Sequence, residues 1–331
     1  MKILAVESSC DETSVSVIEN GRNVLSNVIS SQIDTHKKYG GVVPEIASRQ
    51  HVEAINSVLE EALTEANINR EEIDLVVATR GPGLIGALLV GLSAAKAFAY
   101  AIDRPFVGVN HIYGHVCANY ISNSNLEPPF IGLIVSGGHT YLIKVKDYVD
   151  FELVGRTRDD AAGEAFDKIA RAMGIGYPGG PIIDKLASKG KDVLDFPRVM
   201  LEEGSYDFSF SGLKTAVINY LHNKEQKGEE VIKEDVAASF QKAVTDVLVE
   251  KAVRLAKKEN MDKIVLAGGV AANEGLRFEL ESRGSKENIK IYYPEKILCT
   301  DNAAMIASAG YYLYKSGAVD KDTRANPNLG L

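Results

Sequence analysis

Two stretches of the chain follow one pattern of apolar and polar positions. Residues 3–6 are apolar, 8–13 are polar, and 14–18 alternate; 131–135, 136–140 and 141–145 repeat the scheme. A short apolar run, a polar loop and a second β-rich run predict a hairpin. Both loops contain Ser-x-x-x-Thr, Ser9 with Thr13 and Ser136 with Thr140, and both pairs are offset by 127 residues. The repeat predicts two related domains, each opening on strand-loop-strand.

The remaining pattern alternates helices with short strands. Helical periodicity covers 45–66, with Pro44 at its start, and then 93–101, 160–173, 181–188, 235–258 and 302–314. Strands are predicted over 74–79, 105–109 and 264–267, the second running into Asn110 as a helix N-cap. The polar, proline-containing stretch 124–129 predicts a domain crossing. Alternation of this kind means an α/β fold with partly parallel sheets.

Composition narrows the function classes. The chain has 331 residues, room for two domains, and only three cysteines at no ligand spacing, which argues against a disulfide scaffold and for a reducing compartment. A formal net charge of -8 argues against a free-standing nucleic-acid binder. No targeting segment is evident. The most apolar stretch, 86–102, carries Ser93 and Lys96 and is too short to span a bilayer, so it predicts a buried helix of a cytoplasmic protein without membrane contact.

His111 and His115 stand at i, i+4, which puts two imidazoles on one helix face at metal-ligand spacing. A zinc peptidase of the H-E-x-x-H type needs Glu after the first histidine, and Ile112 stands there, so a metallopeptidase lacks its base. A third ligand is required, and Asp301 is a candidate; its competing role is a helix N-cap. Glycine-rich turns at Ser136-Gly137-Gly138, Gly179-Gly180-Pro181 and Gly268-Gly269 follow strands or open helices, an arrangement that suits a phosphorylated ligand. Neither a P-loop nor a G-x-G-x-x-G fingerprint is present. Asp11 and Glu12 lie at the first hairpin tip. Asp167 fits a solvated helix face and Asp184 a first-turn acid that suits the helix dipole, or either accepts from ribose hydroxyls in a nucleotide cleft.

Taken in order, several motifs together resemble one family: Glu7-Ser8-Ser9-Cys10-Asp11-Glu12-Thr13, Gly81-Pro82-Gly83-Leu84, His111-x-x-x-His115, Ser136-Gly137-Gly138-His139-Thr140, Gly163-Glu164-Ala165-Phe166-Asp167-Lys168, Phe208-Ser209-Phe210-Ser211-Gly212-Leu213-Lys214-Thr215, Gly268-Gly269-Val270-Ala271-Ala272-Asn273 and Cys299-Thr300-Asp301-Asn302. The chain is similar along nearly its whole length to the tRNA threonylcarbamoyladenosine transferases, once called glycoproteases. The resemblance implies an actin, sugar-kinase and Hsp70-like fold: two ribonuclease-H-like domains flanking a nucleotide cleft, one formed by 1–128 plus 302–331 and the other by 129–301. It implies one divalent metal, Fe(II) favoured over Zn, on His111, His115 and Asp301. Ile134, Val135, Ser136, Gly137, Gly138, Asp167, Gly180, Asp184 and Asn273 would bind the nucleotide as threonylcarbamoyl-adenylate, AMP or ATP. The archaeal and eukaryotic branch carries Tyr at the position of Ile134 and Asn at that of His139, so the chain resembles the bacterial or organellar branch.

The implied reaction moves threonylcarbamoyl from its adenylate to the exocyclic amine of the adenosine 3′ of the anticodon, releasing AMP. Asp11 or Glu12 is the candidate base. The implied partners are tRNA, a paralogous inactive actin-like subunit and a small ATPase, with a separate synthase supplying the adenylate. The competing readings are an actin-like ATPase or small-molecule kinase, and a non-catalytic scaffold.

Overall fold

A computed structural model describes residues 1–200, 202, 204–318 and 322–331. The chain forms two compact units, one of Met1–Pro128, Lys146–Phe151 and Pro294–Leu331, the other of Pro129–Val145 and Glu152–Tyr293.

The first unit opens with β1 (Lys2–Glu7), β2 (Glu12–Glu19) and β3 (Asn23–Ser31), followed by α1 (Ile33–Lys37) and α2 (Pro44–Glu65). Next come β4 (Leu75–Gly81), α3 (Ile85–Ala101), β5 (Phe106–Asn110) and α4 (His111–Ser122). The sheet order is β3-β2-β1-β4-β5. β1 pairs antiparallel with β2 and parallel with β4, which pairs parallel with β5. β1, β4 and β5 read as largely apolar runs because both sheet faces are covered there. On one face Leu4, Val6, Val76 and Ala78 pack with Ile55 and Val58 of α2 and Leu92 and Ala95 of α3.

The second unit holds β6 (Phe130–Val135), β7 (Thr140–Asp147), β8 (Asp150–Arg156), α5 (Ala162–Ala172), α6 (Gly179–Ala187), α7 (Ser211–Gln226), α8 (Lys233–Lys258), β9 (Lys263–Ala267), α9 (Glu274–Glu287) and β10 (Lys290–Tyr292). Its sheet runs β10-β9-β6-β7-β8. The hairpin β6–β7 is antiparallel, while β9 pairs parallel with both β6 and β10. Matching β6 to β1 and β7 to β2 gives the two sheets the same strand order, the topology that the repeated hairpin anticipates. The fold is the α/β, actin-like two-sheet architecture.

The chain then returns to the first unit with α10 (Lys296–Cys299) and α11 (Ala303–Ser316). α11 packs on α4 and on β1 and β2. Its Gly310 sits against Val77, on the sheet face opposite Val76 and Ala78.

Several boundaries differ from expectation. Residues 294–301, expected with the second domain, lie in the first unit, where Glu295 N donates to Ser122 Oγ at 3.0 Å. The hairpin tip 146–151 also belongs there, with Tyr148 stacked on Tyr312 at 4.4 Å between centroids. α3 begins at Ile85 rather than 93, because its apolar character continues around the helix and no polar stripe marks its start. α5 begins at Ala162 rather than 160; the Asp160 carboxylate is held instead by Lys168 and Lys214, at 2.8 and 2.5 Å. β3 and β8 lack a clean alternation, since β3 is largely half-buried and β8 largely exposed at the sheet edge. Among the described residues no helix is long and apolar enough to cross a membrane.

Candidate functional site

The histidine pair is built by a strand end and a helix cap. β5 ends at Asn110, whose Oδ1 accepts from Ile112 N at 2.8 Å and so starts α4 at His111. One helical turn then separates His111 from His115. Both are buried, and their rings meet edge-on with centroids 4.6 Å apart. Asp301 arrives from the far end of the chain. Its Oδ1 lies 3.5 Å from His111 Nε2 and 3.4 Å from His115 Nε2. Gly114 permits that approach: a Cβ there would lie 2.6 Å from Ile306 Cδ1, so the glycine lets α11 close on α4 beside His115. The capping role open to Asp301 is taken by its neighbour, since Asn302 Oδ1 accepts from Met305 N at 3.0 Å.

Beneath the pair sits Glu7, the last residue of β1, fully buried. Its Oε2 is 3.1 Å from His111 Nδ1 and accepts from Thr79 Oγ1, while Oε1 accepts from Ser9 N at 2.5 Å. Ser9 Oγ is also 3.2 Å from His111 Nδ1. Burial by itself would lower the His111 pKa, but Asp301 and Glu7 outweigh it and push the ring up to about 9. Burial dominates at His115 and holds it below the ordinary histidine value.

Neither ring nitrogen of His115 makes a well-formed hydrogen bond, although both are buried. A buried imidazole in that state is costly unless something else binds it. The nearest ligand atoms of His111, His115 and Asp301 all lie within 4.8 Å of one another. Two ligand atoms about 2.1 Å from one tetrahedral ion stand about 3.4 Å apart, which matches the spacings to Asp301. The donor set therefore fits a divalent metal, and Glu7 supplies the outer carboxylate that such histidines usually have.

Asp11 and Glu12 lie at the tip of this first hairpin, where β2 begins, and Asp11 is buried. Ser31 Oγ donates to Glu12 Oε1 at 3.2 Å. Burial, reinforced by the charges of Asp11 and Asp301, raises the Glu12 carboxyl well above the ordinary range.

The glycine-rich turns meet in the second unit. β6 and β9 run parallel, so the loops after Val135 and Ala267 leave the same, carboxyl-end edge of the sheet, across the strand ends. That is where open α/β sheets bind ligands. Ile134 and Val135 are buried strand residues. Ser136 closes the turn: its N donates to His139 O at 2.8 Å, and its Oγ accepts from His139 N at 3.1 Å. Gly137 and Gly138 are exposed, and a Cβ on either would meet nothing within 4 Å. Gly268 has φ +88°, and a Cβ there would stand 2.5 Å from Val135 O. Only glycine combines that left-handed backbone with so close a strand.

The acidic residues on this edge are used structurally. Asp167 Oδ1 accepts from Gly179 N at 2.7 Å, at the start of α6, next to the open Gly180. Asp184 accepts from Glu274 N at 2.9 Å and Gly275 N at 3.3 Å, at the start of α9, and from Gln241 Nε2 at 3.0 Å. Asn273 caps α9 through Leu276 N at 2.8 Å, and its amide donates to Gln241 Oε1 at 2.7 Å. The N-terminus of α5 joins them, with Gly163 N donating to Ser136 O at 3.2 Å. Helix N-termini and unhindered glycine backbone facing one edge suit an anionic phosphate.

Three contributors escape the sequence reading. Glu7 is signalled only as an acid ending an otherwise apolar strand. Ser9 is marked only as part of the repeated Ser-x-x-x-Thr loop and Gln241 carries no local signal, because their roles depend on partners 102 and 32 residues away.

Comparison with known proteins gives one family. The model described as TsaD: tRNA N6-adenosine threonylcarbamoyltransferase matches residues 23–308. A Clostridioides difficile protein of that description is 61% identical over 330 residues, 99% of this chain and 98% of its own length. One from Clostridium perfringens is 58% identical over 331 residues, with the same coverage. Among solved structures, full-length HypF in its phosphate- and nucleotide-bound form superposes with a TM-score of 0.64 at 17% identity, over 97% of this chain and 47% of that one. The activator of 2-hydroxyisocaproyl-CoA dehydratase from Clostridium difficile with bound ADPNP gives 0.53 at 15%, over 96% and 97%. These structural likenesses concern the fold.

Proposed function

Because the chain belongs to the TsaD family, the tRNA N6-adenosine threonylcarbamoyltransferases, we propose that its donor is threonylcarbamoyl-adenylate and that transfer requires a divalent metal, Fe(II) in preference to Zn, at His111, His115 and Asp301. The enzyme is a transferase, and tRNA is its substrate. The observation that carries the metal reading is the buried His115 ring, without a well-formed hydrogen bond and 3.4 Å from the carboxylate it shares with His111.

In this reading the adenylate lies on the loop edge of the second unit. The segment from Ile134 to Gly138, with Asp167, Gly180, Asp184 and Asn273, forms the site. The open Gly137 and Gly138 backbone receives the phosphate, and AMP or ATP uses the same loops. Asp167, Asp184 and Asn273 act chiefly by fixing the helix starts whose amides they occupy, so the ligand meets the neighbouring open glycine backbone, Gly180 included.

The exocyclic amine of the adenosine 3′ of the anticodon, in tRNAs reading codons that begin with A, attacks the carbamoyl carbon. A carbon–nitrogen bond forms, the bond from that carbon to the phosphate oxygen breaks, and AMP leaves. The amine gives its proton to a base; Glu12, whose carboxyl is raised by burial, or Asp11 fills that role. Such a transfer depends on positioning and on stabilising charge rather than on a covalent nucleophile. A bound metal supplies Lewis-acid polarisation or orientation of the threonyl end.

A formal net charge of -8 leaves most of the tRNA surface to partners: a paralogous inactive subunit and a small ATPase, with a separate synthase making the adenylate in the cytoplasm. The test is a single-turnover reaction with synthetic threonylcarbamoyl-adenylate, unmodified tRNA and the partner subunits. Modified nucleoside and AMP are expected in equal amounts. AMP without modified nucleoside would overturn the donor assignment.

A further inference from the structure

The segment 322–331 runs across the first unit beside the helix that carries both histidines. Asn326 N donates to Arg80 O at 2.7 Å, and Pro327 O accepts from Gly83 N at 3.2 Å. Leu329 N returns to Asn326 O at 3.2 Å, and Gly330 O accepts from Asn110 Nδ2 at 2.8 Å. Upstream, Asp322 O accepts from Arg80 Nη1 at 2.8 Å, and Thr323 O from Lys96 Nζ at 2.5 Å. Ala325 packs against the core cluster of the sheet. The seat is shaped for this backbone. A Cβ on Gly81 would lie 1.8 Å from Asn326 O, and Gly81 has φ +150°.

Two lines of contact lead from this segment to His111. Asn110 caps α4 with Oδ1 and holds Gly330 O with Nδ2. The terminal torsion of asparagine is soft, so the bond to Gly330 fixes the amide plane that starts the helix. The second line passes through the loop after β4. Gly83 N is held by Pro327 O, Leu84 N donates to Ser9 O at 2.8 Å, and Ser9 Oγ is 3.2 Å from His111 Nδ1.

We propose that the 326–331 tail is a strap that positions the metal-bearing helix, and that its docking and metal binding at His111, His115 and Asp301 strengthen each other. Asn110 is the positioning residue at its centre. The inference rests on the metal reading above. The two effects are equal in size because coupling between two binding equilibria is reciprocal.

The test uses the full protein, a variant lacking 326–331, and Asn110→Asp. The aspartate keeps the capping oxygen, loses the donor to Gly330 O, and adds a negative charge that alone would favour a cation. Zn(II) affinity is measured against a competing chelator, and hydrogen exchange is followed over 108–116 and 326–331. Each variant is expected to bind Zn(II) about ten-fold more weakly, the lower end of the effect of outer-shell changes, and to lose protection in the first turn of α4. Conversely, saturating Zn(II) slows exchange at the Asn326 and Leu329 amides of the wild type but not of His115→Ala. If the truncated chain does not fold, Asn110→Asp decides alone. Unchanged Zn(II) affinity in the folded variants, or tail exchange indifferent to Zn(II), overturns the proposal. Wild type that binds no Zn(II) overturns the metal reading and the coupling with it, and exchange over 108–116 then still shows whether the tail holds the helix.

Discussion

Glu7 Oε2 stands 3.1 Å from Nδ1 of His111, so the carboxylate that ends the first strand orients a histidine 104 residues further along the chain. With Nδ1 engaged below, Nε2 points at Asp301, as metal coordination requires. Glu7→Gln keeps the shape and a hydrogen-bond acceptor but removes the charge. Metal affinity is expected to fall about ten-fold or more, with unchanged circular dichroism. Equal Zn(II) affinity in a competition titration would remove Glu7 from the account.

The glycines of the nucleotide edge separate into two kinds. Gly137→Ala meets no neighbour and occupies ordinary backbone space, so stability should change by less than about 0.5 kcal/mol. The added methyl group stands where the phosphate would approach, and AMP affinity is expected to drop. Gly268→Ala meets Val135 O at 2.5 Å in a left-handed backbone, and stability should fall by about 1–3 kcal/mol. Urea unfolding and calorimetric AMP titration of both variants check the contrast.

Asp184 serves the start of α9 through two backbone amides. Asp184→Ala should cost about 1–2 kcal/mol, the usual range for losing a helix cap, measured by urea unfolding. An unchanged midpoint would mean that the carboxylate is held ready for ligand rather than for the fold.

The sequence made the architecture legible wherever a pattern is local. The duplicated hairpin predicted two sheets of common topology, and i, i+4 spacing put both histidines on one helix face. The fold around them was harder to read. α3 is apolar all round and gave no start signal, and β3 and β8 lack the alternation of a half-buried strand. At the site, local pattern suits Asp301 equally to cap and ligand, and the cap belongs to Asn302, one residue later. By local pattern Asp184 fits a first-turn acid suiting the helix dipole or a ribose acceptor, and its bonds to amides 90 and 91 residues away leave no trace in the sequence. Glu7, Ser9, Gln241 and the 326–331 strap act only through distant partners, which no periodicity records.

The central claim is that the cluster of His111, His115 and Asp301 holds a metal without which threonylcarbamoyl does not reach tRNA. Its most direct test is nucleoside mass spectrometry of tRNA treated with adenylate and partner subunits, comparing metal-loaded enzyme, chelated enzyme and folded His115→Ala. Modified adenosine should form only with the loaded enzyme and return when metal is restored to the chelated sample. Equal modification by His115→Ala would contradict the account.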